Sequence, residues 1–508
     1  MPADCEKTET TLHFLATTSN MRVDFPDQII VDAIGKHREN IKNINYTIWN
    51  NPELAGQEKT AHDTICDYFE SLGQDYAVTR HAYNIDTSFL IQGTILPSPS
   101  RFASPRPPTV IFNAEYDALP NMKIEGGTDS IERKPAHACG HNLISSASIA
   151  AFIACWEALK QSGSPGCVRL LGTPAEERGG GKLSLLKAGA YIDVDACVMA
   201  HPGPLVSDDS LKSCAITSSL ASKRIVAGFS GVAAHAGLAP WEGRNALDAL
   251  VNSYVSIATL RQQLLPSQRI NGIITNGGKA TNIIPDQARA EFSVRAENRK
   301  DLEDLCQKMI HCFEAGAMAT GCSVQVDNNR AAYWNLVSND VLCKEYTRQM
   351  NKFDSKTVYS YPGVSDMPGA ATDQGNVSYF LPAMEAAFFI ESNGAVNHTP
   401  KFADAAGTED AFNRALEVGK GLAGLAFEVL TNQPFRQEVK KSFEQVILTK
   451  AEDQMRINSF NSSITRASIE SLLLSSMPTL IPLYKEEKIS SEQAMGALMA
   501  TDTNFRSI

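Results

Sequence analysis

The segment His137-Ala-Cys-Gly-His-Asn142 sets a thiol and an imidazole, Cys139 and His141, two positions apart on what reads as a loop. A transition-metal ion needs lone-pair donors converging to about 2.0–2.3 Å of one point, and the intervening Gly140 lets the backbone bend both side chains towards it. Three later segments offer further donors beside chain-turning residues: Pro174-Ala-Glu-Glu177, Met199-Ala-His-Pro202 and Asn397-His-Thr-Pro400. Neighbouring glutamates can divide labour, one ligating a cation while the other faces the substrate as a base. Each feature alone has a plainer reading, a buried thiol for Cys139 or a solvated acidic loop for Glu176 and Glu177. Their accumulation argues for chemistry, since five of the ten histidines (His137, His141, His201, His235 and His398) sit beside small, Gly or Pro residues in loop-like contexts.

These donors need a scaffold. Residues 27 to 73 read as two helices broken at Asn51-Pro52-Glu53. Thr109 to Ala114 and Val168 to Thr173 are β-rich runs flanking a buried helix from Ser146 to Leu159. Strand, helix, strand implies a parallel sheet, and ligands collect at the carboxyl ends of such strands, where the Asp117, Cys139/His141 and Glu176/Glu177 loops all fall. From about residue 215 the pattern becomes α+β: strands near Ser222–Gly231, Ile270–Thr275, Ala288–Arg295 and Cys322–Val326, with helices Asn245–Leu260 and Leu302–Met318. After 335 the α/β character resumes, with Ala386 to Ile390 a strand before His398 and Ala405 to Leu430 one long helix. The expected organisation is a catalytic domain in two parts, 1–215 and 333–432, an insert at 216–332, and a helical extension at 433–508 with a capping box at Ser490 and Gln493.

The chain has 508 residues, 43% of them hydrophobic and 20% charged, which suits globular units with sizeable cores. A balance of 46 basic against 57 acidic residues disfavours nucleic acid and anionic lipid as partners. No run reads as a membrane helix or signal peptide, and eleven scattered cysteines lack the spacing of a disulfide framework, so a cytoplasmic location is expected.

Taken in order, Ala114-Glu-Tyr-Asp-Ala-Leu-Pro120, His137–Asn142, Pro174–Glu177, Gly231-Val-Ala-Ala-His-Ala236 and Gly277-Gly-Lys-Ala-Thr-Asn-Ile-Ile-Pro-Asp286 resemble the M20 family of metallopeptidases and amidohydrolases. The resemblance covers roughly residues 28 to 430. Its Cys-Gly-His version points to the branch of that family holding auxin-conjugate hydrolases, aminobenzoyl-glutamate hydrolases and N-acyl amino acid deacylases. Ala371-Thr-Asp-Gln-Gly-Asn-Val-Ser378 and Asn397-His-Thr-Pro-Lys-Phe402 are closest to a mammalian subgroup of that branch.

The resemblance implies a zinc-peptidase-like α/β domain with a mixed, largely parallel sheet, and an inserted α+β lid and dimerisation domain. It implies two divalent metals (Zn or Mn, with Co also acceptable to mixed N, O and S donors) on Cys139, His141, Glu177, His201 and His398. Glu176 matches the general base, Asp117 an acidic residue that orients the metal loops, and His235 an oxyanion donor. Asn282 and Arg295 match positions that hold a substrate carboxylate, against plainer readings as a turn cap and a surface cation. His137 matches no ligand position and is assigned a structural role or one supporting the ligands from behind. The implied reaction is hydrolysis of an amide bond in a small N-acyl amino acid or dipeptide-like substrate by a homodimer or higher homo-oligomer. Rival readings are amide formation or transacylation at the same site, a silent binding protein, and a Cys139-His141 thiol hydrolase, the last without an orienting third group. The stretch between Pro120 and Pro135, the Pro/Ser-rich run Leu96 to Pro108 and the tail after 434 depart from the family pattern.

Overall fold

The computed structural model describes residues 26–73, 75–97, 106–125, 132–328, 330–365 and 370–461. Residues 98–105 of the Pro/Ser-rich run, residues 126–131 and the part of the expected helical extension from 462 on, with its capping box, lie outside the described residues. Helices Asp27–Asn50 and Lys59–Ser71 open the fold, the first burying Ile30, Ala33, Ile34, Ile41, Ile44 and Ile48 along one stripe.

Eight strands form one sheet, in the order Ala77–Arg80, Phe89–Ile95, Gly166–Gly172, Thr109–Ala114, Ala196–Pro204, Ala383–Ile390, Ser213–Cys214 and Thr357–Val358. The four central strands, from Gly166–Gly172 to Ala383–Ile390, run parallel, and antiparallel pairings flank them. Period-two alternation divides their side chains. Val110, Phe112, Val198, Ala200, Met384 and Ala386 join the main core, while Ile111, Leu171 and Cys197 pack with Leu185, Tyr191 and Val377 on the opposite face.

The main covering helix is His141–Ser162, longer than the expected Ser146–Leu159 at both ends. Gly163, in the left-handed region, ends it by donating to the Leu159 and Lys160 carbonyls. By length and composition it could cross a membrane, but 94% of that window is buried inside the protein. The expected helix Ala405–Leu430 is two helices, Pro400–Ala406 and Glu409–Thr431. Thr408 starts the second by accepting from Ala411 N through Oγ1 at 3.2 Å, a cap that replaces helix continuation. The stretch between Pro120 and Pro135, which departs from the family pattern, contributes most of an antiparallel strand pair, Leu119–Glu125 with Glu132–Ala136.

A second sheet of four antiparallel strands has the order Arg269–Asn276, Gln287–Ala296, Ala221–Ser230, Ser323–Asp327. Helices Ala246–Leu260 and Arg299–Ala319 cover one face, each N-capped by an asparagine side chain, Asn245 or Asn298. On Gln287–Ala296, Ala288, Ala290, Phe292, Val294 and Ala296 point to those helices, so Glu291, Ser293 and Arg295 share the other face. The helix Gln433–Asn461 extends the chain beyond, docked where Asn339 Nδ2 donates to the Val439 carbonyl at 3.0 Å. The architecture is α/β with a mixed, largely parallel sheet, an α+β insert and a helical C-terminal segment.

Candidate metal centre

Local backbone chemistry aims the donors. Gly140 takes φ +82°, and a Cβ there would fall 2.5 Å from Pro202 Cγ, so glycine alone lets the Cys139 turn lie against the His201 strand. His141 is the first residue of its helix rather than a loop residue, because Gly140 accepts from Leu143 N and starts the helix. His201 belongs to the strand Ala196–Pro204 and not to a loop; its pairing with Ala387 in register continues past the ligand position. Glu176 and Glu177 follow strand Gly166–Gly172, on a turn where Ala175 is held at φ +60°. Buried Glu58 stabilises that left-handed residue, accepting from Ala175 N through Oε1 at 2.8 Å and from Thr87 Oγ1 through Oε2 at 2.8 Å. Tyr333, arriving from beyond the insert, donates its hydroxyl to the Glu176 carbonyl.

His398 is also left-handed, at φ +66°, with its N–H donating to the Ala138 carbonyl at 2.8 Å. Next to it, Asn397 Nδ2 donates to the carbonyls of Cys139 at 3.3 Å and Pro202 at 3.0 Å. One asparagine thus ties three donor segments together.

The donor atoms form overlapping groups. Cys139, His141 and His201 make one and Cys139, Glu177 and His398 another, the atoms of each within 4.8 Å of one another. Cys139 is shared between the two groups. A third group joins His141 and Glu176 to Glu115.

The hydrogen bonds set the imidazole tautomers. His141 Nδ1 lies 3.0 Å from Asp117 Oδ1, and His201 Nδ1 2.8 Å from the Pro202 carbonyl, so each ring donates there and turns its Nε2 to the cluster. Asp117 also accepts from Glu177 N through Oδ2 at 2.9 Å, coupling two donor segments through one carboxylate. His141 Nε2, Glu177 Oε1 and Glu115 Oε2 are buried with no hydrogen-bond partner. Buried polar atoms left without a hydrogen bond are destabilising. Divalent cations would satisfy them, so the residues present fit the group.

The electrostatics agree. Burial alone would lower the His141 pKa, yet Asp117, Glu115 and Glu177 raise it to about 9. Burial, with Glu115 and Glu177 beside it, pushes the Glu176 carboxyl well above the usual range. Burial also pushes the Cys139 thiol up, and the three glutamates add to it. A surplus of negative charge strong enough to hold protons is strong enough to attract cations.

These groups open on a cavity of about 830 Å³, the size of a small-molecule site. Cys139, Glu176, Glu177, His201 and His398 line it, and Arg295 faces it from the insert. His235 and Asn282, expected beside the substrate, are exposed and absent from this lining. They neighbour each other instead, with Ala236 N donating to the Asn282 carbonyl at 3.0 Å. His235 Nδ1 accepts from Gly237 N at 3.2 Å and Leu238 N at 3.0 Å, which leaves the proton on Nε2. His137 is buried and its Nε2 contacts the Ile48 carbonyl at 3.1 Å, away from the donor groups.

Sequence reasoning missed an ionic layer beneath the donors. Lys182, fully buried, donates to Glu115 and, at 2.6 Å, to Asp373. Glu115 stands two residues before Asp117 in the Ala114–Pro120 motif, the interval that returns a side chain to the same side of an extended segment. Glu385 lines the cavity as well, a lone acid in the otherwise apolar strand Ala383–Ile390. A charge in a central parallel strand is itself a signal.

Residues 218–320 match the peptidase dimerisation domain family. The chain is 35% identical to the Xaa-Arg dipeptidase of Mus musculus over 432 residues, 84% of this chain and 94% of the relative. It is 27% identical to a p-aminobenzoyl-glutamate hydrolase chain of Escherichia coli over 83% of this chain and 96% of that one. In fold it is similar to a dinuclear metal-binding peptidase of the M20 family from Bacillus subtilis, with a TM-score of 0.52, 20% identity, and coverage of 78% of this chain and 98% of that one. An aminobenzoyl-glutamate utilization protein from Klebsiella pneumoniae gives 0.55 at 17% identity over 80% and 98%. With its motifs in order along the chain and a relative of this identity spanned almost end to end, the chain belongs to the M20 family of metallopeptidases and amidohydrolases, in the branch marked by the Cys-Gly-His motif.

Proposed function

We propose that this chain hydrolyses an amide bond in a small N-acyl amino acid or dipeptide-like substrate bearing a free carboxylate. The observation that carries this reading is the pair of donor groups sharing Cys139, set beside Glu176 in one cavity. Cys139, His141, Glu177, His201 and His398 would hold two divalent ions, Zn, Mn or Co. Once bound, these ions supply Lewis-acid polarisation of the amide carbonyl and acidify a water.

The remaining work belongs to side chains. Glu176 takes the proton of the attacking water on its carboxylate and passes it to the leaving nitrogen. Asp117 holds His141 and the Glu177 backbone in position. Arg295 pairs with the substrate carboxylate from the insert wall, together with Asn282. His235, with its proton on Nε2, donates to the developing oxyanion.

Because His235 and Asn282 lie outside this chain's own cavity lining, a homodimer is part of the proposal, a partner copy bringing them to the site. Support comes from apolar side chains left uncovered on the insert. Val251 (44% exposed), Tyr254 and Val255 stand on the helix Ala246–Leu260, with Ile273 and Ile274 on the edge strand Arg269–Asn276. The same reading divides the chain into 1–215, 216–332, 333–432 and 433–508. It also includes a cytoplasmic location, supported by the ten described cysteines being free thiols. The relatives' dipeptidase and hydrolase names favour hydrolysis over amide formation.

The test is a broad panel of N-acyl amino acids and dipeptides offered to metal-loaded protein beside Glu176→Ala. Wild type is expected to release free amino acid and the variant to be nearly inert. Equal depletion by both would remove Glu176 from the mechanism.

A further inference from the structure

The cavity is lined by charges of both signs. Arg224, Arg295 and Arg330 line the insert side, with Arg224 3.0 Å from Glu291. The side of the eight-stranded sheet carries Glu176, Glu177 and Arg178, on the turn after the strand Gly166–Gly172, and Glu385 on the sheet itself. Glu176 and Glu177 have tasks at the metal centre; Glu385 has none there. It lies on the strand Ala383–Ile390, paired in register with Met199 and so two residues from the His201 position. Its side chain is only 6% exposed, and Oε2 is buried without a hydrogen-bond partner. Its carboxyl oxygens belong to none of the three donor groups. The nearby cation Lys182 is already engaged with Glu115 and Asp373.

A carboxyl held in this way is destabilising unless something completes it. Burial raises it to about 8, Glu115 and Asp373 push in the same direction, and Lys182 and His141 only partly oppose them. An arriving cation would supply the partner that the buried Oε2 lacks.

Resting on the amide-hydrolysis reading, we infer that Glu385 forms the acidic end of a substrate subsite that receives an ammonium or guanidinium group. The substrate is then zwitterionic: its carboxylate meets the arginine wall, its amide the metal centre, and its positive group Glu385. The cation has two sources, the free α-amino group of a dipeptide or the side chain of a basic residue, and the chemistry of recognition is the same for both.

Matched pairs separate them. Kinetics on metal-loaded enzyme compare free dipeptides with their N-acetylated forms, and N-acetyl-arginine and alanyl-arginine with their citrulline isosteres. A charged hydrogen bond at a buried carboxylate is worth about tenfold to a hundredfold in kcat/KM for the cationic member of a pair. Glu385→Gln, nearly isosteric, is expected to erase that preference by slowing the cationic member far more than the neutral one. Preference within the acetylation pair assigns the α-amino group, and within the citrulline pair the side chain. Absence of any preference in wild type, or equal slowing of both members in Glu385→Gln, overturns the inference. If no compound in the panel is hydrolysed, the hydrolytic reading fails by itself. Calorimetric binding of L-arginine against L-citrulline to wild type then decides for Glu385: tighter arginine, weakened by Glu385→Gln, supports the subsite, and equal binding refutes it.

Discussion

His141 and His235 are both assigned to the same reaction, yet one chain completes the surroundings of the first and leaves the second bare. His141 is fully buried, fixed by Asp117 at one nitrogen and presenting the other to the donor groups. His235 is exposed, its tautomer set only by two backbone N–H groups of its own turn. The contrast fits the roles proposed for them. Metal donors must converge before the ion arrives, so their desolvation is built into the core and offset by the cation. A hydrogen-bond donor to a transient oxyanion acts only when water is excluded, and a second surface can bring it there.

The comparison can be broken most sharply on its buried side. Glu176→Gln should lower kcat by about 10² to 10⁴, the range for loss of a general acid-base group, while metal analysis still finds two ions per chain. An accompanying loss of metal would make Glu176 a ligand instead. Cys139→Ala should lower the occupancy of both ions after dialysis, since Cys139 belongs to both donor groups, whereas His201→Ala should lower one. Identical losses in the two variants would refute a shared role for Cys139.

On the exposed side, His235→Ala should reduce kcat by about 10² to 10³ without changing metal content. Mixing it with Glu176→Ala should restore about a quarter of wild-type activity if the histidine serves a partner's site, because half of the dimers are mixed and each then holds one complete site. No recovery would assign His235 to its own chain. Asp117→Asn is expected to weaken metal affinity about 10- to 100-fold, measured by competition with a chelator.

The smallest effect on chemistry, though not on folding, belongs beneath the site. Lys182→Met leaves Glu115 and Asp373 buried without their cation and should cost about 3–5 kcal/mol in denaturant unfolding. A stability unchanged from wild type would mean that the ionic layer is not structural.

Much of the site was legible because its residues are close in sequence to backbone-turning partners. Cys139 with Gly140 and Glu176 after Pro174 carry their own signal, and the periodicity of 27–73 placed two helices nearly to their ends. What was misread had competing local explanations. Glycine and proline neighbours made His141 and His201 look like loop residues, although Gly140 is a helix start and Pro202 stands inside a strand that continues past it. The long helix after Ala405 was broken by Thr408, whose cap competes with helix continuation. The ionic layer was illegible, since Lys182, Glu115 and Asp373 reach one another across as many as 191 positions.

The amino-acid sequence by itself determined the chemistry on offer: which atoms can ligate, which carboxylate can move a proton, and the family to which the chain belongs. Those properties reside in residue type and short spacing, and short spacing survives in any fold that forms. Only the tertiary structure decided that Cys139 is shared between two donor groups, that Asp117 holds both His141 and Glu177, that Glu385 is a buried acid facing the cavity, and that His235 stands apart from the lining. Each of these is a distance between segments that the chain leaves far apart, and burial sets the strength of every charge among them.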